Sequence, residues 1–199
     1  VRRRRRQGAL SNIVLATRSL VAHADAVIVL ADPDDALGTS DTLERVARAH
    51  AEGADVTVGS MVRTDKETSY VVDFDRPRQR RGGNVWQHLR SFRKRLFDAI
   101  PDDALRLDGA YVEIAPDWAY MIPIVEMAAQ PVHLSEALYL YEPSGVGKGP
   151  DRDRREAEIA RIVSRSPIDA SQPGNGQGRE AARTGRAPAT DHVFTSQEL

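Results

Sequence analysis

Two sets of carboxylates carry residue types able to do chemistry. Asp32-Pro33-Asp34-Asp35 follows directly on six apolar residues, Ala26-Val-Ile-Val-Leu-Ala31, three of them β-branched. Such a run reads as a strand buried on both faces, as in a parallel sheet covered by helices, although a buried helix segment has the same pattern. In open α/β sheets ligands sit outside the carboxyl ends of the strands. Acids gathered there repel one another unless they are solvated or joined by a cation, and hard oxygen ligands suit Mg2+ or Mn2+. Asp32 and Asp34 are therefore expected to hold a divalent metal on a diphosphate. The plainer reading is an acidic loop that turns the chain and caps the next helix, and on the cluster alone it is the stronger one. The second carboxylate is Asp117, in Ala115-Pro116-Asp117-Trp118. Proline and an acid at this spacing start a helix, where an aspartate ordinarily caps. One fixed beside a cleft is also suited to act as a base.

The elements that must position these acids follow from periodicity. Leu10, Ile13, Val14, Thr17, Leu20 and Val21 fall at helical spacing within residues 8–23, so an amphipathic helix leads into the strand at 26–31. Asp41 and Glu44 stand at capping-box spacing ahead of a second helix through Leu43, Val46, Ala47 and His50, which Gly53 ends. His50 lies near its inner edge and reads as structural. Residues 54–62 alternate as a strand, and 70–74 read as a short strand or hairpin arm. Residues 75–84, with Arg78, Arg80 and Arg81 beside Gly82-Gly83, read as a mobile loop. Its glycines would let backbone N–H groups approach a phosphate, but a solvated loop is the simpler reading. Helical steps prevail in residues 86–100, with a short strand before a helix at Leu96 as the alternative. The helix opened by Pro116 should be kinked or shortened by Pro123. Residues 131–142 read as a closing strand.

Composition bounds the rest. The chain has 199 residues, 41% hydrophobic and 29% charged, with a net charge of −1. That is enough apolar residue for a core, while the charge balance gives no global field for nucleic acid. The local exception is Arg2 to Arg6, which reads first as a solvated tail and second as a contact for phosphates, including those of an anionic membrane surface. There are no cysteines, hence no disulfides and no thiolate zinc site, as in a cytoplasmic protein. No apolar run reaches the ~20 residues of a membrane-spanning helix. Residue 1 is valine rather than methionine, so the chain looks like a piece of a longer protein. Four stretches are expected: a basic stub at 1–7, a folded domain at 8–148, a charged helix at 149–165, and a disordered tail at 166–199.

Taken together, the order helix, hydrophobic strand ending in Asp-Pro-Asp-Asp, helix, then the Ala-Asp-Val-Thr-Val-Gly strand, followed by an Asp-Trp-Ala helix start and Leu-Tyr-Leu-Tyr, resembles the family 2 glycosyltransferases of the GT-A fold. The resemblance covers roughly residues 6 to 148. It implies an α/β fold with a Rossmann-like mixed sheet flanked by helices, and an inverting, metal-assisted transfer of one sugar from a nucleotide-diphosphate sugar to a carbohydrate or other hydroxyl acceptor. The family's Asp-x-Asp acids fall on Asp32 and Asp34, with Asp35 beside them on the nucleotide sugar, and its catalytic base falls on Asp117. Trp118, Tyr139 and Tyr141 become candidates for an acceptor cleft, ordinary packing being an equal reading for each. The usual Glu-Asp pair is incomplete, because Pro116 precedes Asp117 and Glu113 is too far away. Gln87-His88-Leu89-Arg90 lacks the tryptophan of processive synthases, Ser91 standing in its place, and it precedes Asp117. The resemblance also implies nucleoside-binding elements ahead of Val1, so the chain alone is expected to bind donor poorly and turn over little. Two other readings stay open: a metal-dependent nucleotidyltransferase, and a non-catalytic binding module derived from a transferase.

Overall fold

The computed structural model describes residues 7–66, 71–143 and 150–168. Helix α1 (Ala9–Leu15) runs on into a π turn (Ala16–Leu20) and buries Leu10, Ile13 and Val14, the stripe expected from their spacing. Strand β1 (Val27–Leu30), the short β2 (Ala36–Leu37), helix α2 (Thr42–Ala51) and β3 (Val56–Arg63) follow. A single-turn α3 (Asp75–Arg78), β4 (Arg90–Arg93), α4 (Lys94–Asp98), the small hairpin β5 (Arg106–Leu107) and β6 (Ala110–Tyr111), α5 (Pro116–Met127), β7 (Pro131–Tyr141) and α6 (Pro150–Val163) complete the described chain. Five strands form one sheet in the order β1-β4-β3-β7-β2, parallel only between β3 and β7. This is the mixed α/β architecture with flanking helices that the sequence led us to expect.

Several elements differ from that expectation. Strand β1 is not an interior strand buried on both faces: all four of its residues are half-buried, and among the described residues it pairs with β4 alone, antiparallel. An apolar run with alternate residues facing two different clusters reads the same as one sealed inside a parallel sheet. Ile28 and Leu30 pack against the main core, while Val27 and Val29 pack against a smaller cluster around Val46, Leu89 and Tyr139. Residues 86–100 hold β4 and then α4 rather than one helix. Strand pairing of Phe92 with both Ile28 and Val56 outweighs the helical count of apolar positions. Residues 71–74 form no strand, and 75–78 form a helical turn. Pro123 neither ends nor shortens α5, which runs through to Met127. Asp41 makes no side-chain cap bond to a backbone N–H of the helix it precedes, accepting instead from Thr39 Oγ1 at 2.6 Å and from the Arg45 side chain, Nε, at 2.8 Å. The arginines at 2–6 and nearly all of the expected tail, from 169 onwards, lie outside the described residues.

Helix α5 is the central core element, with Ala119 through Val125 all buried. Its face meets Phe92, Phe97 and Leu10 in the main core. Two polar arrangements fix the layers around it. Arg80 and Glu126 form an ion pair with both side chains over nine-tenths buried, Arg80 Nη2 donating to Glu126 Oε2 at 2.7 Å. The same pair reaches the end of α6: Arg80 Nη1 donates to Ile162 O, and Glu126 accepts from the Ile168 N–H. On the other side of the sheet, His50 Nδ1–H donates to Ala54 O at 2.8 Å, so Nε2 accepts from Ser91 Oγ at 2.8 Å, and Ser91 in turn meets Thr57 Oγ1 at 2.6 Å.

Removing one partner of a buried ion pair leaves the other charge unpaired, which typically costs about 3–5 kcal/mol. Glu126→Ala is expected to lower unfolding free energy by that order in a denaturant titration, whereas a surface pair such as Arg48–Glu44 should cost little when broken. Burial holds the His50 imidazole below its ordinary value of 6.5, against the pull of the Ala54 carbonyl. The unfolded chain therefore binds more protons than the folded one just below 6.5, and stability must fall as pH drops through that value. His50→Gln should flatten the loss between pH 7 and 5.5, leaving the part that other histidines supply.

Candidate functional site

Asp32 and Asp35 come together at one end of the sheet, where β1 leaves, β4 enters and β7 passes, and Arg90 stands between them and Asp117. A turn explains which of them come together. The Asp35 N–H bonds back to Asp32 O at 3.2 Å, so Pro33 and Asp34 form the exposed outside of a tight bend and Asp35 returns towards Asp32. Asp34 is exposed and stands outside the group of ligand atoms that Asp32 and Asp35 form with His88, all within 4.8 Å of one another. Two oxygens and an imidazole nitrogen make a donor set that fits a divalent first-row cation. These three residues fit the metal that the resemblance implies.

Tyr139 holds the two acids in place. It is fully buried, its hydroxyl oxygen accepts from the Asp32 N–H at 2.7 Å, and the hydroxyl interacts with the Asp35 carboxyl. Asp35 Oδ1 also accepts the Glu142 N–H at 2.8 Å. Burial raises the Asp35 carboxyl above its ordinary range, opposed by these hydrogen bonds and reinforced by Asp32 and Asp34. Burial likewise raises the Tyr139 hydroxyl far up, so it remains protonated and can donate.

His88 arrives on the segment leading into β4, and Arg90 opens that strand. Gly59 makes this approach possible, since a Cβ there would lie 2.8 Å from the Leu89 N. The His88 ring stacks on Tyr139 at 4.6 Å between centroids, and its Nε2 lies 3.4 Å from Asp32 Oδ2. Arg90 Nη2 donates to that same Nε2 at 2.9 Å. Burial, and then the Arg90 charge, hold His88 well below its usual pKa, so the ring is neutral and turns a lone pair towards the cluster. Its Nδ1 is buried without a partner. Arg90 is itself only 6% exposed. Its Nη1 donates to Trp86 O at 2.7 Å and lies 3.6 Å from Asp117 Oδ2, and the guanidinium stands 5.9 Å from the Tyr120 ring centre.

Asp117 is thus linked to the Asp32 side of the site by a single side chain. It sits in the first turn of α5, where Oδ1 accepts the Trp118 N–H at 3.1 Å. Helix α6 fixes the approach to that turn, as Glu158 Oε2 accepts the N–H groups of Ile114 and Ala115 at 3.0 and 3.1 Å. Burial raises the Asp117 carboxyl, while Arg90 and then Arg155 pull it back down. Trp118 is half-buried and stacks on Trp86 at 3.8 Å, and Tyr141 is half-buried with the Arg63 guanidinium 5.3 Å from its ring. Glu113 is exposed. In the loop at 75–84, Arg80 is committed to Glu126, and Arg78 Nη2 donates to Ala128 O.

His88 and Arg90 were missed in the sequence, where only the Gln-His-Leu-Arg spacing drew notice. A helical reading of 86–100 put both residues on a helix. Gln87, His88, Arg90 and Ser91 are all polar around Leu89, so no polar–apolar alternation marks a strand here, and only the pairing of β4 with β1 places both side chains.

No family model matches the chain, and no curated protein does. Solved structures do. The crystal structure of S. aureus TarS 1–349 aligns with a TM-score of 0.51 and 15% identity, over 82% of this chain and 47% of that one. A second S. aureus TarS structure aligns at 0.49 and 18% identity over 82% and 28%, and TarS 1–349 in complex with UDP-GlcNAc at 0.47 and 14% over 79% and 47%. The chain therefore spans about half the length of TarS 1–349. At this identity the likeness is one of fold, and the chain shares the fold of the matched part of TarS.

Proposed function

We propose that this chain carries the catalytic side of a metal-assisted transferase that moves one sugar from a nucleotide-diphosphate sugar to a hydroxyl acceptor, with inversion. The observation that supports the reading is the meeting of Asp32, Asp35 and His88 with Asp117 through one buried guanidinium. The two chemical tasks of such a transfer need a cation beside the leaving group and a base beside the nucleophile, and both residue types are present within one side chain's span.

A divalent cation held by Asp32 and Asp35 would offset the charge developing on the leaving diphosphate. Asp34, on the exposed outside of the bend, faces the solvent from which a donor arrives. Asp117 takes the proton of the acceptor hydroxyl as its oxygen attacks the anomeric carbon. The bond to the diphosphate breaks in line, and its electron pair leaves with the phosphate oxygen. A carboxyl raised by burial is a better proton acceptor than a free one, provided that Arg90 keeps it ionised at neutral pH. Trp118 and Tyr141, both half-buried near these groups, offer ring faces to an acceptor sugar. TarS has been crystallised with UDP-GlcNAc and with UDP, which makes uridine compounds the first probes to use.

Saturation-transfer NMR, which detects weak ligands, tests the reading directly. UDP is expected to bind in the presence of Mn2+, to lose at least tenfold in affinity on Asp32→Asn, and to be released by EDTA. Asp117→Asn should leave UDP binding within about twofold while lowering any breakdown of UDP-GlcNAc by about 100-fold or more. Binding that ignores metal, survives Asp32→Asn and falls steeply with salt would instead favour a non-catalytic anion-binding module.

A further inference from the structure

Arg90 occupies the face of His88 that a metal ion would need. Its Nη2 donates into the Nε2 lone pair at 2.9 Å, and that same nitrogen is 3.4 Å from Asp32 Oδ2. A guanidinium therefore already supplies positive charge at the edge of the Asp32–Asp35–His88 group. His88 is over nine-tenths buried, and in the same group Asp35 Oδ2 is buried without a donor in good hydrogen-bond geometry. The donor set is thus built but incompletely satisfied. On the other side of Arg90, Asp117 Oδ2 lies 3.6 Å from Nη1, just beyond hydrogen-bond reach, and Arg90 Nε has no partner. The guanidinium has unused donors and a carboxylate to turn them to.

We propose that Arg90 is a built-in competitor for a divalent cation at Asp32, Asp35 and His88, and that a cation taking His88 Nε2 drives the guanidinium onto Asp117. The inference rests on the reading that this group takes a metal, and deepens it. Two positive charges cannot share one imidazole lone pair, so metal and guanidinium exclude each other there. The displaced N–H groups have the Asp117 carboxylate within reach on the side away from the metal, which couples loading of the donor side to the hydrogen bonding of the base. An imidazole in the set also favours Mn2+ or Co2+ over Mg2+.

Calorimetric titration of the 199-residue chain with Mn2+ alone tests this. Arg90→Gln removes the competitor and should tighten Mn2+ binding by roughly tenfold, whereas loss of an ordinary structural residue would weaken it. Asp117→Asn removes the refuge and should weaken Mn2+ binding several-fold in the wild-type background. In the Arg90→Gln background that effect should shrink, since the coupling runs through Arg90. If Arg90→Gln fails to fold by circular dichroism, Arg90→Lys makes the same comparison, because one ammonium cannot span both partners; affinity should again rise. Unchanged or weaker Mn2+ binding in the folded Arg90 variant, with binding still abolished by Asp32→Asn, overturns the competition and leaves the metal reading standing. No Mn2+ binding by either wild type or Arg90 variant overturns the metal reading itself.

Discussion

A buried guanidinium must be surrounded by acceptors, and that demand organises this site. Arg90 opens β4 almost without exposure, and its neighbours Tyr120 and Asp117, then Asp32 and Tyr139, push its pKa up against the cost of burial. Two carboxylates from distant parts of the chain thereby become neighbours of one charge. Without Arg90, Asp117 would be a buried acid drifting towards its neutral form, and the His88 lone pair would face Asp32 with no proton between them. One side chain pulls down the pKa of the groups on both sides of it, with burial at His88 and against burial at Asp117.

The rest of the fold makes that placement possible. Antiparallel pairing of β4 with both β1 and β3 brings the start of β4 to the end of β1, so His88 and Arg90 arrive where Asp32 begins. Parallel pairing of β7 with β3 carries Tyr139 to the same end, opposite Met61. From the other side α6 reaches over, with Glu158 satisfying the N–H groups that lead into α5 and the Arg80–Glu126 pair anchoring the end of α6. The acid at the start of α5 is held by its neighbours rather than by a cap of its own.

How much of this was legible in the sequence follows from where the signal lies. Local patterns gave the helix at 9–15, the strand at 56–63, the Pro116 start of α5 and the whole of β7, because periodicity and turn chemistry are written within each segment. The acids at 32–35 and 117 stood out by type. What local pattern could not show was the return of Asp35 to Asp32, which depends on a bend. Nor could it show Arg90, which depends on pairing with Leu30, sixty residues away in sequence. The burial of β1 was misread for a related reason: four aliphatic residues look alike whether they face one core or divide between two. Glu158 sat in a stretch that read as a charged helix, and only tertiary contact reveals it as the group that fixes the start of α5.

The central claim is that Asp32, Asp35, His88 and Asp117 surround one charge centre. Paramagnetic broadening of the amide spectrum by substoichiometric Mn2+ tests it most directly. The account predicts that the amides of residues 32, 35, 88 and 117–118 broaden together, at the same added metal. Broadening at 32–35 that spares 117 and 118, or that appears first at the exposed acids 102 and 103, would contradict it.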